Sequence, residues 1–227
     1  MKKNVYPGKF LVFEGPDGSG QSTQAELLKN FLIKKKFKVV LTKEPTKISR
    51  AGKKIEKILN KKNKTSPKEL QKLCAEDRKW HLKNIIIPSL KEGIIVISDR
   101  YFFSSFAYGK SEGISLKYLI DLNKDFLLPD KTFILDVSPS VCISRIKKRG
   151  EETTLFEKEE KLEKVLKIYK TFPQKFENVV IINGEKSKKE VFSDIKNIVS
   201  KILKWYNKIV YFGIIYCFKN FIKILIK

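Results

Sequence analysis

One stretch, residues 10–23, constrains this chain more than any other. The apolar run 10–13 follows the turn residues Pro7 and Gly8 and reads as a buried strand. A glycine-rich segment comes next: Gly15, Pro16, Asp17, Gly18, Ser19, Gly20, Gln21, Ser22 and Thr23. From Ser22 the pattern turns helical, with Leu27, Leu28, Phe31 and Leu32 on one face. A strand, a glycine-rich turn and a helix in this order let backbone N–H groups converge on a phosphate at the positive end of the helix dipole. Such loops ask for Gly, four residues, Gly, Lys and a hydroxyl residue. Gly15, Gly20 and Ser22 fit, with the Ser22 hydroxyl as a Mg²⁺ ligand, but Gln21 stands where lysine belongs. Losing one preorganised donor commonly costs on the order of 10²–10³-fold in rate. Three outcomes follow: another cation substitutes, the catalyst is slow, or the chain only binds nucleotide.

Strands and helices then alternate. Strands are expected over 39–41, 94–98, 132–137 and 179–182, with helices over 51–59, 116–126, 138–149 and 155–176. Ser66, Pro67 and Glu69 open a helix with a cap, a proline at the first position and an acid three residues after the cap, and it should end near residue 87, before Pro88. Ser187 and Glu190 form a second capping box, for a helix reaching about Trp205. Five such alternations predict an α/β fold, a five-stranded parallel sheet with helices on both faces. Ligands in such folds bind beyond the carboxyl ends of the strands, where Gly15, Glu44 and Asp99 fall.

Composition narrows the partners. The formal net charge is +23. The lysines are scattered and form no stripe interleaved with aromatics, so we read the excess as composition bias and expect no nucleic-acid partner. Three widely spaced cysteines, Cys74, Cys142 and Cys217, and no apolar leader fit a reducing cytoplasm. One histidine and no CxxC pair argue against zinc.

Several segments, in order, resemble the thymidylate kinase family across about residues 9 to 205. Phe13-Glu14-Gly15-Pro16-Asp17-Gly18-Ser19-Gly20 is similar to its phosphate loop, and Lys43-Glu44-Pro45-Thr46 to its REP segment. Ala75-Glu76-Asp77-Arg78 resembles the AADR segment, and Asp99-Arg100-Tyr101 with Ser104, Ala107 and Tyr108 the DR(Y/H)xxSxxAY segment. The resemblance implies a P-loop kinase fold with a small lid, ATP and Mg²⁺, dTMP as acceptor and a homodimer. It also implies residue roles. Asp99, with Ser22, holds Mg²⁺; Arg100 grips the acceptor phosphate; Asp17 meets the 3′-hydroxyl; Arg78 meets thymine O4. Ser105 reaches the base edge, Tyr108 lies under the sugar, and Lys43 and Glu44 flank the acceptor. Arg145 and Arg149, at the lid (about 145–157), are the candidates to offset Gln21.

The chain departs from the family at Lys43, where arginine is usual, and at Cys74, where an aromatic usually stacks on the base. Trp80, Phe102, Phe103 and Phe106 are candidates for a replacement ring. Two other functions stay open: a deoxynucleoside kinase with Glu44 as base, and a weakened nucleotide-binding module. Beyond the domain 1–207, the tail 208–227 is apolar, with Lys219, Lys223 and Lys227 on one helix face. It suits peripheral contact with a membrane surface or packing on the body or a partner subunit.

Overall fold

The computed structural model describes residues 1–148 and 158–203. Most of the lid segment, Arg149 included, and the whole tail lie outside the described residues.

Among the described residues five strands form one sheet: β1 (Phe10–Glu14), β2 (Val39–Lys43), β3 (Ile95–Asp99), β4 (Lys131–Asp136) and β5 (Val179–Asn183). All pairings are parallel, in the order β2-β3-β1-β4-β5. Every residue of β1 and β3 is buried, as continuous apolar strands must be in a sheet covered on both faces. Their side chains alternate between two cores. Phe10, Val12 and Val96 point to one, which holds Leu70, Phe102, Phe103, Phe106, Tyr169 and Phe172. Leu11, Phe13, Ile95 and Ile97 point to the other, with Leu28, Leu32, Val191, Ile195 and Val199.

The helices follow from local chemistry. α1 (Gln21–Lys34) starts at Gly20, whose φ of 99° is left-handed and suits glycine. Ser49 caps α2 (Arg50–Leu59), accepting from Gly52 N–H, and Ser66 caps α3 (Pro67–His81), accepting from Glu69 N–H. The rod does not stop before Pro88, contrary to the sequence expectation. A π turn over Leu82–Ile86 carries it into α4 (Ile87–Lys91). The widened turn relieves the clash a proline ring makes with the preceding turn, and Ser89 Oγ donates to Ile85 O at 2.8 Å. The chain continues through α5 (Phe102–Ser111), α6 (Leu116–Asn123), α7 (Pro139–Lys148) and α8 (Glu159–Tyr169). A further helix, α9, occupies 188–203. Its predicted box is closed on both sides: Ser187 N–H donates to Glu190 Oε2 at 3.0 Å, and Glu190 N–H to Ser187 Oγ at 3.4 Å.

Among the described residues no helix is long and apolar enough to cross a membrane. The chain leaves β1 toward β2 on one side, while β4 and β5 lie on the other. Beside that switch, the carboxyl ends of β1, β2 and β3 place Gly15, Glu44 and Arg100 around one opening.

Candidate active site

The loop between β1 and α1 carries three glycines with left-handed or extended positive φ, Gly15, Gly18 and Gly20. Gly18 is further constrained by space, since a Cβ there would stand 2.6 Å from Cys142 O on α7. Gln21 is buried within this loop. Its Nε2 donates to Gly15 O at 2.7 Å and to Pro16 O at 3.1 Å. The residue in the lysine position is therefore a strut that ties the loop to itself.

A cation at the end of β2 lies beside the start of α1. Ser22 Oγ donates to Asp99 Oδ2 at 2.5 Å. Lys43 Nζ pairs with the same oxygen at 2.8 Å and lies 3.4 Å from Ser22 Oγ. Hydroxyl and carboxylate oxygens are the hard donors that suit Mg²⁺, and a cation, the Lys43 ammonium, already lies against them. Thr23 is exposed one residue further along α1. Arg145 turns to the loop backbone: it donates to Ser19 O at 3.2 Å and Gly184 O at 3.1 Å.

Arg100 joins the loop to a cleft beside it. Its φ of 72° is left-handed, a conformation that costs a non-glycine residue on the order of 1–3 kcal/mol and aims the side chain across β1. The guanidinium donates to Gly15 O at 3.0 Å, to Ser104 Oγ at 3.0 Å and to Asp17 Oδ1 at 2.6 Å. Tyr108 OH donates to Asp17 Oδ2 at 2.9 Å and accepts from Asp17 N–H at 3.1 Å.

The cleft has a volume of about 270 Å³. Asp17, Lys43, Glu44, Arg78, Arg100, Ser105 and Tyr108 all line it, so the predicted acceptor residues are brought together. Its far wall is aliphatic, with Ile55, Leu59, Leu70 and Cys74. Burial pushes the Cys74 thiol up to about 12, so this wall stays neutral. The expected replacement ring is absent from the lining. Phe102, Phe103 and Phe106 are fully buried in the core behind it, and Trp80 lies outside it. α5 turns those phenylalanines to the sheet, and the aromatics that line the cleft are Tyr101 and Tyr108.

Arg78 is fixed from three sides. Its Nε and Nη2 reach Glu44 Oε2 at 2.8 Å, Nη1 donates to Asn123 Oδ1 at 2.5 Å, and Nη2 to Ser105 Oγ at 3.2 Å. The other Glu44 oxygen meets His81 Nδ1 at 3.0 Å, and His81 Nε2 meets Thr42 Oγ1 at 2.6 Å. Both oxygens of Glu44 are engaged in orienting α3, which leaves no lone carboxylate oxygen of the kind a base would present. Asp77, one residue before Arg78, pins the loop after β2. It accepts from Thr46 N–H at 2.8 Å, Thr46 Oγ1 at 2.5 Å and Ser49 Oγ at 2.5 Å. Gly52 packs beneath, where a Cβ would lie 1.8 Å from Thr46 O.

Sequence reasoning missed Glu14, Asn123, His81 and Tyr169. Glu14 is fully buried at the end of β1. It accepts from Tyr101 N–H at 2.8 Å, Ser104 Oγ at 2.5 Å and Tyr169 OH at 2.9 Å. Burial pushes its carboxyl up to about 7, while the Arg100 charge and these hydrogen bonds pull it back. A charged residue ending an otherwise apolar strand was the available signal. The pH consequence is definite. Between about 4.5 and about 7 the unfolded chain has released this proton and the folded chain keeps it. Stability contributed here therefore falls as pH rises through that window and levels off above it, by up to roughly 3 kcal/mol. Thermal melts from about pH 5 to pH 8 should show Glu14→Gln gaining on the wild type as pH rises; a constant offset between the two would rule this out.

A glycine loop at a helix N-terminus, a hydroxyl–carboxylate pair beside it and a cation-lined cleft across one arginine define a P-loop nucleotide-binding protein. A family model described as Thymidylate kinase matches residues 13–195. A protein of Pyrococcus horikoshii named probable thymidylate kinase is 40% identical over 197 residues, covering 85% of this chain and 96% of that protein. The thymidylate kinases of Caldicellulosiruptor saccharolyticus and Brachyspira hyodysenteriae are each 36% identical, covering 87% and 86% of this chain and 98% and 96% of theirs. The chain belongs to the thymidylate kinase family.

Proposed function

We propose that this chain phosphorylates dTMP, transferring the γ-phosphoryl group of ATP to yield dTDP and ADP. The observation that carries the reading is the Arg100 bridge: one guanidinium touches Gly15 and Asp17 of the phosphate loop and Ser104 of α5, which lines the cleft with Asp17. Phosphoryl transfer needs donor and acceptor phosphates held in line, with cations on both. In this arrangement the loop N–H groups and the N-terminus of α1 cradle the donor phosphates. Arg100 orients the acceptor phosphate, whose oxygen attacks the γ-phosphorus as the bond to ADP breaks. Mg²⁺, when bound, is held by Ser22 and Asp99, directly or through water, and offsets charge on the donor oxygens. Lys43 stands beside that pair and supplies the charge that Gln21 lacks. Arg78 and Ser105 meet the base, and Asp17 and Tyr108 the sugar.

Glu44 favours a monophosphate over a nucleoside acceptor, because both its oxygens are engaged by Arg78 and His81. A coupled ADP-release assay over dTMP, dUMP, dCMP and thymidine tests the reading. Turnover should be fastest with dTMP and absent with thymidine. Thymidine as the preferred acceptor would make it a nucleoside kinase; no turnover with any acceptor would leave a binding module.

A further inference from the structure

Gln71 of α3 also lines the acceptor cleft. It is 5% exposed, and its Oε1 is buried without a hydrogen-bond partner. Leaving a carbonyl oxygen so enclosed costs on the order of 1–3 kcal/mol, and such orphans call for an explanation. The amide lies over Gly109 of α5, where a Cβ would stand 3.3 Å from Gln71 Cδ. Any side chain at that position would crowd the amide. On α3, Gln71, Cys74 and Arg78 share one face at i, i+3 and i+7. Arg78 meets Ser105 of α5, the Gln71 amide lies against Gly109 one turn further along that helix, and both residues line the cleft. Between them lies the neutral Cys74 wall.

We infer that Gln71 is a specificity-determining residue that reads the imide edge of the acceptor base. A pyrimidine-dione base offers an N3–H donor flanked by two carbonyls. The unpartnered Gln71 Oε1 accepts from N3–H, its Nε2 donates to the adjacent O2, and Arg78 takes O4 from the other side. A 4-amino base presents a bare N3 to Oε1 and an amino group to Arg78, so both contacts turn repulsive. The amide thus supplies the recognition that a ring at residue 74 would otherwise reinforce. This rests on the cleft being the acceptor site, which is testable apart from it.

The experiment compares wild type, Gln71→Leu and Gln71→Met with dTMP, dCMP and N3-methyl-dTMP, measuring kcat and KM for each and KM for ATP. Both variants should raise KM for dTMP about tenfold, with kcat and the ATP KM within about twofold. The wild type should reject N3-methyl-dTMP strongly, and the variants should lose most of that discrimination. Thermal stability adds a readout that a structural glutamine would move the other way. Because the apolar replacements remove an orphan, the melting temperature should hold or rise. A fallen melting temperature with unchanged discrimination would overturn the inference. Arg100→Ala leaving KM for dTMP unchanged would instead remove the cleft as acceptor site, whatever Gln71 does.

Discussion

Lys43→Ala lowers kcat on the order of 10²-fold, and adding Gln21→Lys to that variant recovers most of the loss. The expectation comes from where the charges lie. Gln21 spends its Nε2 on Gly15 O and Pro16 O, so the loop offers no side-chain cation of its own. Lys43 Nζ is 2.8 Å from Asp99 Oδ2 and 3.4 Å from Ser22 Oγ, at the start of the helix that follows the loop. A lysine at residue 21 starts from the same loop and returns a point charge to the same region. In the wild type, Gln21→Lys alone should change kcat only a few-fold, because the position of the charge is already filled. The four proteins are compared for kcat, and for ATP binding by titration at two salt concentrations. Lys43→Ala with wild-type kcat would end the idea, as would failure of the double variant to regain activity while binding ATP normally.

Arg100→Ala has the largest effect we anticipate, a loss of about 10³-fold in kcat/KM for dTMP. Truncating one partner of a partly buried, hydrogen-bonded charge pair strands the other, here Asp17, whose Oδ1 takes the guanidinium at 2.6 Å. It also removes the group that couples cleft to loop through Gly15 O. Arg100→Lys should recover little. A point ammonium cannot serve Gly15, Ser104 and Asp17 together as a planar fork does. Removing the Arg100 charge also lets the Glu14 carboxyl rise further, since that charge is the largest influence holding it down. ATP affinity, measured separately, should stay within a few-fold. An equal loss for both nucleotides would mean that Arg100 holds the fold and not the acceptor.

Much of this was legible beforehand for a physical reason. Buried parallel strands leave continuous apolar runs, and their carboxyl ends are punctuated by residues that apolar packing does not explain, such as Gly15, Glu44 and Asp99. Hence the sheet and the loop could be read from spacing, while the expected acceptor residues came from the resemblance to the family. What could not be read was which way side chains turn. Phe102, Phe103 and Phe106 sit next to site residues in sequence, but helical rotation sends them to the sheet. Glu44 looked like a free base until Arg78 and His81 took its oxygens. Arg145 does lie against the loop, through Ser19 O, but the Lys43 ammonium beside Asp99 could not be read from spacing. Pro88 read as a stop because no local signal announces a π turn.

The Asp77 anchor has a kinetic meaning. Thr46, Ser49 and the close seat of Gly52 fix the segment after β2 before any nucleotide arrives. The entropy of ordering that wall is lost once, when the chain folds, and not at each encounter with substrate. The monophosphate thus meets a stiff surface, and differences among acceptors should appear in how long each one stays rather than in how fast it arrives.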